Sequence, residues 1–345
     1  MPDNKYTSII VLQTAFLGDV ILSTAFVNAL KQTFPQAEID ILLIPQTVEV
    51  FQDNPHIRRI IIFDKRQWFR RIVSFLQVWK TIARAHYDLA VALQLSFTTS
   101  LLMWLPGIPE RLGYPRQKLL TRTIDLAKGL PVYQRHLELL KPFTDKQFDV
   151  QTELFWQAEI DEKVQEILSR ETPVGATLIG IAPGSVWSTK RWLAEYYAQL
   201  LKAVTEQGWY GVFIGGKDDR ILSDSIIARS GVNALNLAGR LSLKASAAVI
   251  KRLAVLVCND SAPLHLANAV QTDVVAIFGP TVKRFGCYPY RQRDIVLETE
   301  LPCRPCGKHG GRNCPLGHHQ CLREITPEQV MQAITEILEQ QCRES

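Results

Sequence analysis

The sequence predicts an α/β fold built as two doubly wound domains, each a parallel sheet with helices on both faces. Three observations carry this. Short apolar runs rich in Ile, Val and Leu alternate with longer stretches whose apolar residues recur at helical spacing. The connections between them are short, as expected of strand–helix–strand units. At 345 residues the chain is too long for one ordinary core and suggests two domains.

The run TSIIVLQT (7–14) reads as a strand and VILSTAFVNALKQTF (20–34) as a helix stopped by Pro35. AEIDILLI and IRRIIIFD are further strands, then a helix runs from about Trp68 to His86 and YDLAVALQ follows as a strand. Within that helix Ile72, Phe75, Leu76, Trp79 and Ala83 share one face, which is assigned to the core. A charged helical connector, FWQAEIDEKVQEILSR, precedes a second series. TLIGIAPG, WYGVFIGG, AVLVCND and TDVVAIFG are its strands; AEYYAQLLKAVTEQG, LSLKASAAVIKRL and LHLANAVQ are its helices. The boundary is expected near residues 160–175, giving domains 1–165 and 172–326. ITPEQVMQAITEILEQ then forms a final amphipathic helix, with Thr326 as N-cap and Pro327 at the first helical position. Residues 327–345 are expected to pack back on the N-terminal domain. The two halves share no sequence repeat, so the duplication is one of architecture.

A content of 47% hydrophobic and 21% charged residues is that of a globular protein, not a disordered one. No apolar run approaches the ~20 residues that span a bilayer. The N-terminus lacks the pattern of a secretory signal, and a cytoplasmic location is expected. Of the net charge of +5, all falls in residues 1–150, which hold 18 Lys/Arg against 13 Asp/Glu; the remainder holds 21 of each. Residues 58–84 alone carry eight Lys/Arg and one acid. Arg66, Arg70 and Arg71, beside Trp68 and Phe69, suit either a solvated face or a surface for anionic lipid or a phosphorylated sugar. Arg111, Arg116, Lys118 and Arg122 extend the set. The surplus is small and no nucleic-acid-binding motif appears, so a nucleic-acid partner is not expected.

Three stretches carry candidate chemistry. In TAFLGDVILSTAF, Gly18 and Asp19 fall at a strand-to-helix junction. Asp19 reads as a helix N-cap or as a general base at the edge of a cleft. In IAPGSVWSTKRW, Ser185, Ser188, Thr189 and Lys190 set hydroxyls, backbone amides and a cation before a helix, which suits a phosphate. In VCNDSAPLHLANAV, Asn259, Asp260 and Ser261 close a strand and His265 lies on the first turn of the next helix. An anionic diphosphate is well placed at such a helix start. Between these two stretches, GGKDDR ends a strand with Gly215, Gly216 and Asp219. The acid either accepts a ribose hydroxyl or only shapes the turn.

Taken in order and spacing, LGDVILSTAFVNALKQTFPQAEIDIL, IAPGSVWSTKRWLAEYYAQL and NDSAPLHLANAVQTDVVAIFGPT resemble the ADP-heptose:lipopolysaccharide heptosyltransferases, glycosyltransferase family 9. The tail LPCRPC…CPLGHHQCL is most similar to the heptosyltransferase II branch. The resemblance implies a GT-B fold, two Rossmann-like domains facing a central cleft, with acceptor on the first domain and nucleotide sugar on the second. It implies heptose transfer from ADP-L-glycero-D-manno-heptose to the inner core of lipopolysaccharide, with inversion and with no cofactor. Asp19 then matches the catalytic base. Lys190 matches the lysine on the donor phosphates, and Asp260, Ser261 and His265 match the donor motif. Gly18, Arg66, Arg70, Arg116 and Lys118 fall on the acceptor side, toward a lipid A-core acceptor and the anionic cytoplasmic face of the inner membrane. Ala262 departs from the family, which usually has Gly there and so a backbone free to take positive φ. A relative using another nucleotide sugar is the enzyme alternative; a basic, zinc-bearing binding protein is the alternative from another class.

Cys303, Cys306, Cys314 and Cys321 are spaced C-x2-C-x7-C-x6-C, with His309, His318 and His319 among them. That spacing is compatible with a structural zinc site, and free buried thiols account for it as well. The cluster is kept out of the mechanism, for which no metal is expected.

Overall fold

The computed structural model describes residues 5–65, 68–125 and 129–344, residues 68–70 by backbone alone. The chain divides into two compact units, Met1–Trp156 and Gln157–Ser345. In the first, strands β1 (Ser8–Leu12), β2 (Glu38–Leu43), β3 (Arg59–Ile62), β4 (Leu89–Ala92), β5 (Glu110–Gly113) and β6 (Arg122–Thr123) alternate with helices α1 (Leu17–Leu22), α2 (Thr24–Thr33), α3 (Val48–Phe51), α4 (Trp68–Ala85), α5 (Phe97–Trp104) and α6 (Val132–Leu137). The strands pair in parallel in the order β3-β2-β1-β4-β5-β6.

The second unit begins with α7 (Ala158–Glu171) and contains β7 (Leu178–Ala182), α8 (Ala194–Glu206), β8 (Tyr210–Phe213), α9 (Arg220–Ser230), β9 (Leu235–Asn236), α10 (Leu243–Ile250), β10 (Val255–Asn259), α11 (Ala262–Ala269), β11 (Asp273–Phe278), β12 (Ile295–Glu298), α12 (Gln320–Arg323) and α13 (Pro327–Glu344). Its parallel sheet runs β12-β11-β10-β7-β8-β9, the same winding as the first when read from the other edge. The central strands are apolar on both faces because helices cover both. Ile9–Leu12 and Val255–Cys258 are all wholly buried.

Four expectations change. The helix expected over 20–34 is two, α1 and α2, joined at Ser23. The connector helix α7 lies in the second unit, packed against α10, so the division falls at 156/157. Helix α13 packs on α8, β10 and β11, and Val330, Ala333, Ile334 and Ile337 complete the second unit's core. Its apolar face is therefore taken up within the second unit. On α4 the buried stripe is Val78 and Ile82, with Phe75 and Trp79 packed against the core, whereas Ile72 and Leu76 are 45% and 47% exposed. The stripe 75-78-79-82 follows helical spacing and leaves 72 and 76 at its margin.

The basic segment is likewise not uniformly free. Arg58 and Arg59 both close on Asp40, which is fully buried in β2 and also accepts from Tyr87 Oη. Burial opposes the charge on Asp40, but these donors prevail and hold its carboxyl below the usual range. Among the described residues no helix is long and apolar enough to cross a membrane.

Candidate active site

In an open sheet of this winding, ligands bind beyond the carboxyl ends of the strands where the order reverses. Those points are β1/β4 in the first unit and β7/β10 in the second. The sequence motifs leave the sheets at these same strands, so topology gathers each set of candidates at one place.

In the second unit the Asp260 carboxylate follows β10 and faces the turn after β7. Lys190 Nζ lies 2.5 Å from Asp260 Oδ2, and Thr281 Oγ1 donates to the same oxygen at 2.6 Å. Lys190 and Asp260 side chains are only 12% and 8% exposed. One carboxylate thus holds the ammonium at the end of a flexible stem, leaving further N–H donors for a ligand oxygen. Asn259, wholly buried, braces the arrangement. Its Oδ1 accepts from Trp192 N at 2.9 Å and Tyr197 Oη at 3.2 Å, while its Nδ2 donates to Pro183 O at 2.9 Å.

His265, on the first turn of α11, is buried and its Nδ1 has no partner. Burial pushes its pKa down to about 4; Lys190 adds to this and Asp260 opposes it. The imidazole is therefore neutral near pH 7, with Nδ1 unpaired in the interior. Ser261 is the N-cap of α11, but its Oγ points to Gly184 O at 3.3 Å, so the helix start carries no side-chain cap. Ala262 opens α11 without a left-handed φ. A side chain is tolerated at the position where the family usually carries Gly.

Three predicted donor contacts have other roles. Thr189 Oγ1 donates to Gly311 O and accepts from Gly311 N, both at 2.8 Å, and Ser188 Oγ donates to Arg312 O. Both hydroxyls are spent within the protein. Asp219 Oδ2 accepts from Gly216 N at 2.9 Å, and a Cβ on Gly184 would stand 2.1 Å from Asp219 Oδ1. This carboxylate caps its own turn and wedges against the β7 turn. Gly184 and Gly215 leave the room it needs; at Gly215 a Cβ would meet Asp219 Cβ at 2.8 Å. Ser185 is half-buried, and its carbonyl accepts from Arg191 Nε at 2.8 Å.

In the first unit Gly18 and Asp19 lie within α1, and Asp19 is half-buried. The N-cap is Phe16, so the capping role read for Asp19 is corrected. A carboxylate in the first turn still meets the positive end of the helix. Beside it the turns after β1, β3 and β4 are tied together. Lys65 Nζ donates to Thr14 O at 2.9 Å and to Thr14 Oγ1 at 2.6 Å, and Gln94 Nε2 donates to Thr14 Oγ1. Burial, then repulsion from Arg71, lowers the Lys65 pKa. Sequence reading missed Lys65 and Gln94; their place at the ends of strand motifs was the available signal.

Arg116 and Lys118 are exposed on the turn after β5. Arg111 is folded into that turn, donating to Leu119 O at 2.8 Å and to Ile108 O, while Arg122 pairs with Glu110 and stacks on Phe143. These two are structural. Arg66 and the Arg70 side chain lie outside the described residues. The four tail cysteines are free thiols, and among the described residues no three His, Cys, Asp or Glu side chains are grouped to hold a metal ion.

Comparison with known proteins bears on the fold and the family. The family model for glycosyltransferase family 9 (heptosyltransferase) matches residues 75–316. Lipopolysaccharide heptosyltransferase 2 of Escherichia coli K12 is 27% identical over 96% of this chain and 99% of its own. The crystal structure of a family 9 glycosyl transferase from Veillonella parvula superposes with a TM-score of 0.88 at 26% identity, covering 97% of this chain and 98% of that one. The structure of E. coli ADP-heptose lps heptosyltransferase II gives a TM-score of 0.79 at 23% identity, over 97% and 99%. The two sheets are thus those of the GT-B heptosyltransferase architecture.

Proposed function

Because the chain belongs to glycosyltransferase family 9, the heptosyltransferases, we propose that it transfers heptose from ADP-L-glycero-D-manno-heptose to the inner core of lipopolysaccharide. The observation that carries the reading is the Lys190–Asp260–Thr281 cluster at the β7/β10 reversal, beside a buried neutral histidine. The second unit holds ADP there. Lys190 and the uncapped amides at the start of α11 meet the diphosphate, with neutral His265 buried behind them. Asp19 takes the proton from an acceptor hydroxyl as its oxygen bonds the anomeric carbon; the bond from that carbon to the diphosphate breaks with inversion. Charge grows on the departing ADP, and the ammonium stabilises it, so the chemistry asks for one base and one cation. No metal or cofactor enters this scheme.

The acceptor, a lipid A-core glycolipid, belongs on the first unit, with Gly18, Arg116 and Lys118 on that side and Lys65 added to them. The same unit exposes Ile72, Val73, Leu76, Leu95 and Phe97. The Arg71 bond to Thr98 Oγ1, at 3.2 Å, links α4, which carries the first three, to the start of α5, which carries Phe97 and follows Leu95. Apolar side chains among cations suit peripheral contact with the anionic cytoplasmic face of the inner membrane. Sedimentation with phosphatidylglycerol vesicles, but not phosphatidylcholine vesicles, is expected, and Phe97→Ser should weaken it. Equal binding to both, or binding to neither, would remove the anionic membrane surface from the account.

The donor is tested by ADP release from ADP-heptose with a heptose-deficient acceptor, against UDP-sugars. Acceptor-dependent release from ADP-heptose is expected. Turnover of a UDP-sugar alone would replace the donor assignment.

A further inference from the structure

The segment after β12, which carries the tail cysteines, grips both partners of the Lys190–Asp260 pair. We propose that residues 304–312 form a strap that positions this pair for the donor, with Thr189 as the positioning residue that anchors it. The inference rests on the role given to Lys190 above.

One end of the strap is fixed at the lysine. Thr189, 5% exposed, makes three hydrogen bonds to a single residue: its Oγ1 and N both donate to Gly311 O, at 2.8 and 3.2 Å, and Gly311 N donates back to Oγ1 at 2.8 Å. Next to it, Ser188 Oγ donates to Arg312 O. Gly310 takes a left-handed φ of +82°, and a Cβ there would lie 3.2 Å from Lys190 Cγ and 3.3 Å from its Cε. The strap backbone therefore lies along the lysine stem, at a spacing that favours glycine.

The other end is fixed beside the carboxylate. The Arg304 side chain is 5% exposed and donates to Phe278 O at 3.2 Å, Gly279 O at 2.5 Å and Thr281 O at 2.8 Å, with further bonds to Glu298 and Thr299. Cys306 N donates to Pro280 O at 3.1 Å. These carbonyls belong to the end of β11 and the turn after it, which presents Thr281 Oγ1 to Asp260. A guanidinium serving several carbonyls at once is a rigid clamp. Lys190 is thus held from one side, and Asp260, through Thr281, from the other.

The consequence is preorganisation: a four-carbon stem that is already ordered loses less freedom when the diphosphate arrives. Thr189→Val removes the hydroxyl at nearly constant shape, and Thr189→Ser restores it. Each full-length variant is compared with the parent for ADP affinity by calorimetry, and for kcat and KM toward ADP-heptose and toward acceptor. Thr189→Val is expected to weaken ADP binding and lower donor kcat/KM by about tenfold, the worth of one hydrogen bond. Acceptor KM should stay unchanged, and Thr189→Ser should recover to within about twofold. Unchanged ADP affinity in Thr189→Val, or a loss that Ser does not rescue, overturns the strap. If Thr189→Val does not fold, Gly310→Ala carries the test, since it presses on the lysine stem and should give the same donor-side deficit. Lys190→Met separates the two claims. Its full activity would sink the role of Lys190 and the strap together; its impairment beside a normal Thr189→Val would sink the strap alone.

Discussion

Asp260→Asn keeps the shape of the site and removes its negative charge. The Lys190 ammonium, 12% exposed, would then face a neutral amide. Taking one partner from a buried pair costs about 3–5 kcal/mol, because the remaining charge is left desolvated. Thr281 still finds an acceptor on the Asn side chain, so the low end, about 3 kcal/mol, is expected. Lys190→Met should cost about 2 kcal/mol, since the stranded carboxylate keeps the Thr281 bond. The double variant buries no charge and should cost about 1 kcal/mol or less, which makes the coupling at least about 4 kcal/mol. Hydrogen exchange read peptide by peptide separates the second unit from the first. Amides of β7 and β10 in Asp260→Asn should exchange roughly 100-fold faster, and in the double variant should approach the parent. Single costs that simply add in the double variant would refute the buried pair.

His136 gives a pH test in the first unit. It is buried, bonded through Nδ1 to Tyr114 Oη at 2.7 Å, and burial, then Arg135, lowers its pKa to about 4. The unfolded chain, with an ordinary histidine pKa, binds the extra proton first, so this stability is full above about pH 6.5 and is lost as pH falls toward 4. Between pH 7 and pH 5 the loss is about 2 kcal/mol, and His136→Gln should abolish that slope in urea titrations. An unchanged slope would remove the buried neutral histidine from the account. His265 behaves alike in the second unit, where Asp294, pushed up to about 6 by burial, runs the opposite way.

What was legible in the sequence was local. Thr326 is the expected N-cap of α13, its Oγ1 accepting from Gln329 N at 3.4 Å, while Thr326 N donates to Gln329 Oε1 at 2.8 Å. Alternating apolar runs announced parallel sheets for the same reason, since each run needs only its own neighbours to be recognised. Strand order was not legible, because it depends on register between β1 and β4 or β7 and β10, far apart in the chain. Partners set by the fold were also hidden. Asp40 claims Arg58 and Arg59 through β2–β3 pairing, and Thr189 is claimed by Gly311, 122 residues away. Asp19 shows both sides. Its motif marks the junction of β1 and α1, while the capping role suggested by its type belongs to no side chain, because the backbone of Phe16 starts α1.

The proposed reaction turns on removal of the acceptor proton by Asp19. The direct measurement is acceptor-dependent ADP release by Asp19→Asn and the parent, with ADP affinity measured on both. Release should fall by about 10²–10⁴, with ADP affinity unchanged because the proposed nucleotide site belongs to the other unit. Release at the parental rate from the folded variant would contradict the claim and leave α1 with no part in the chemistry.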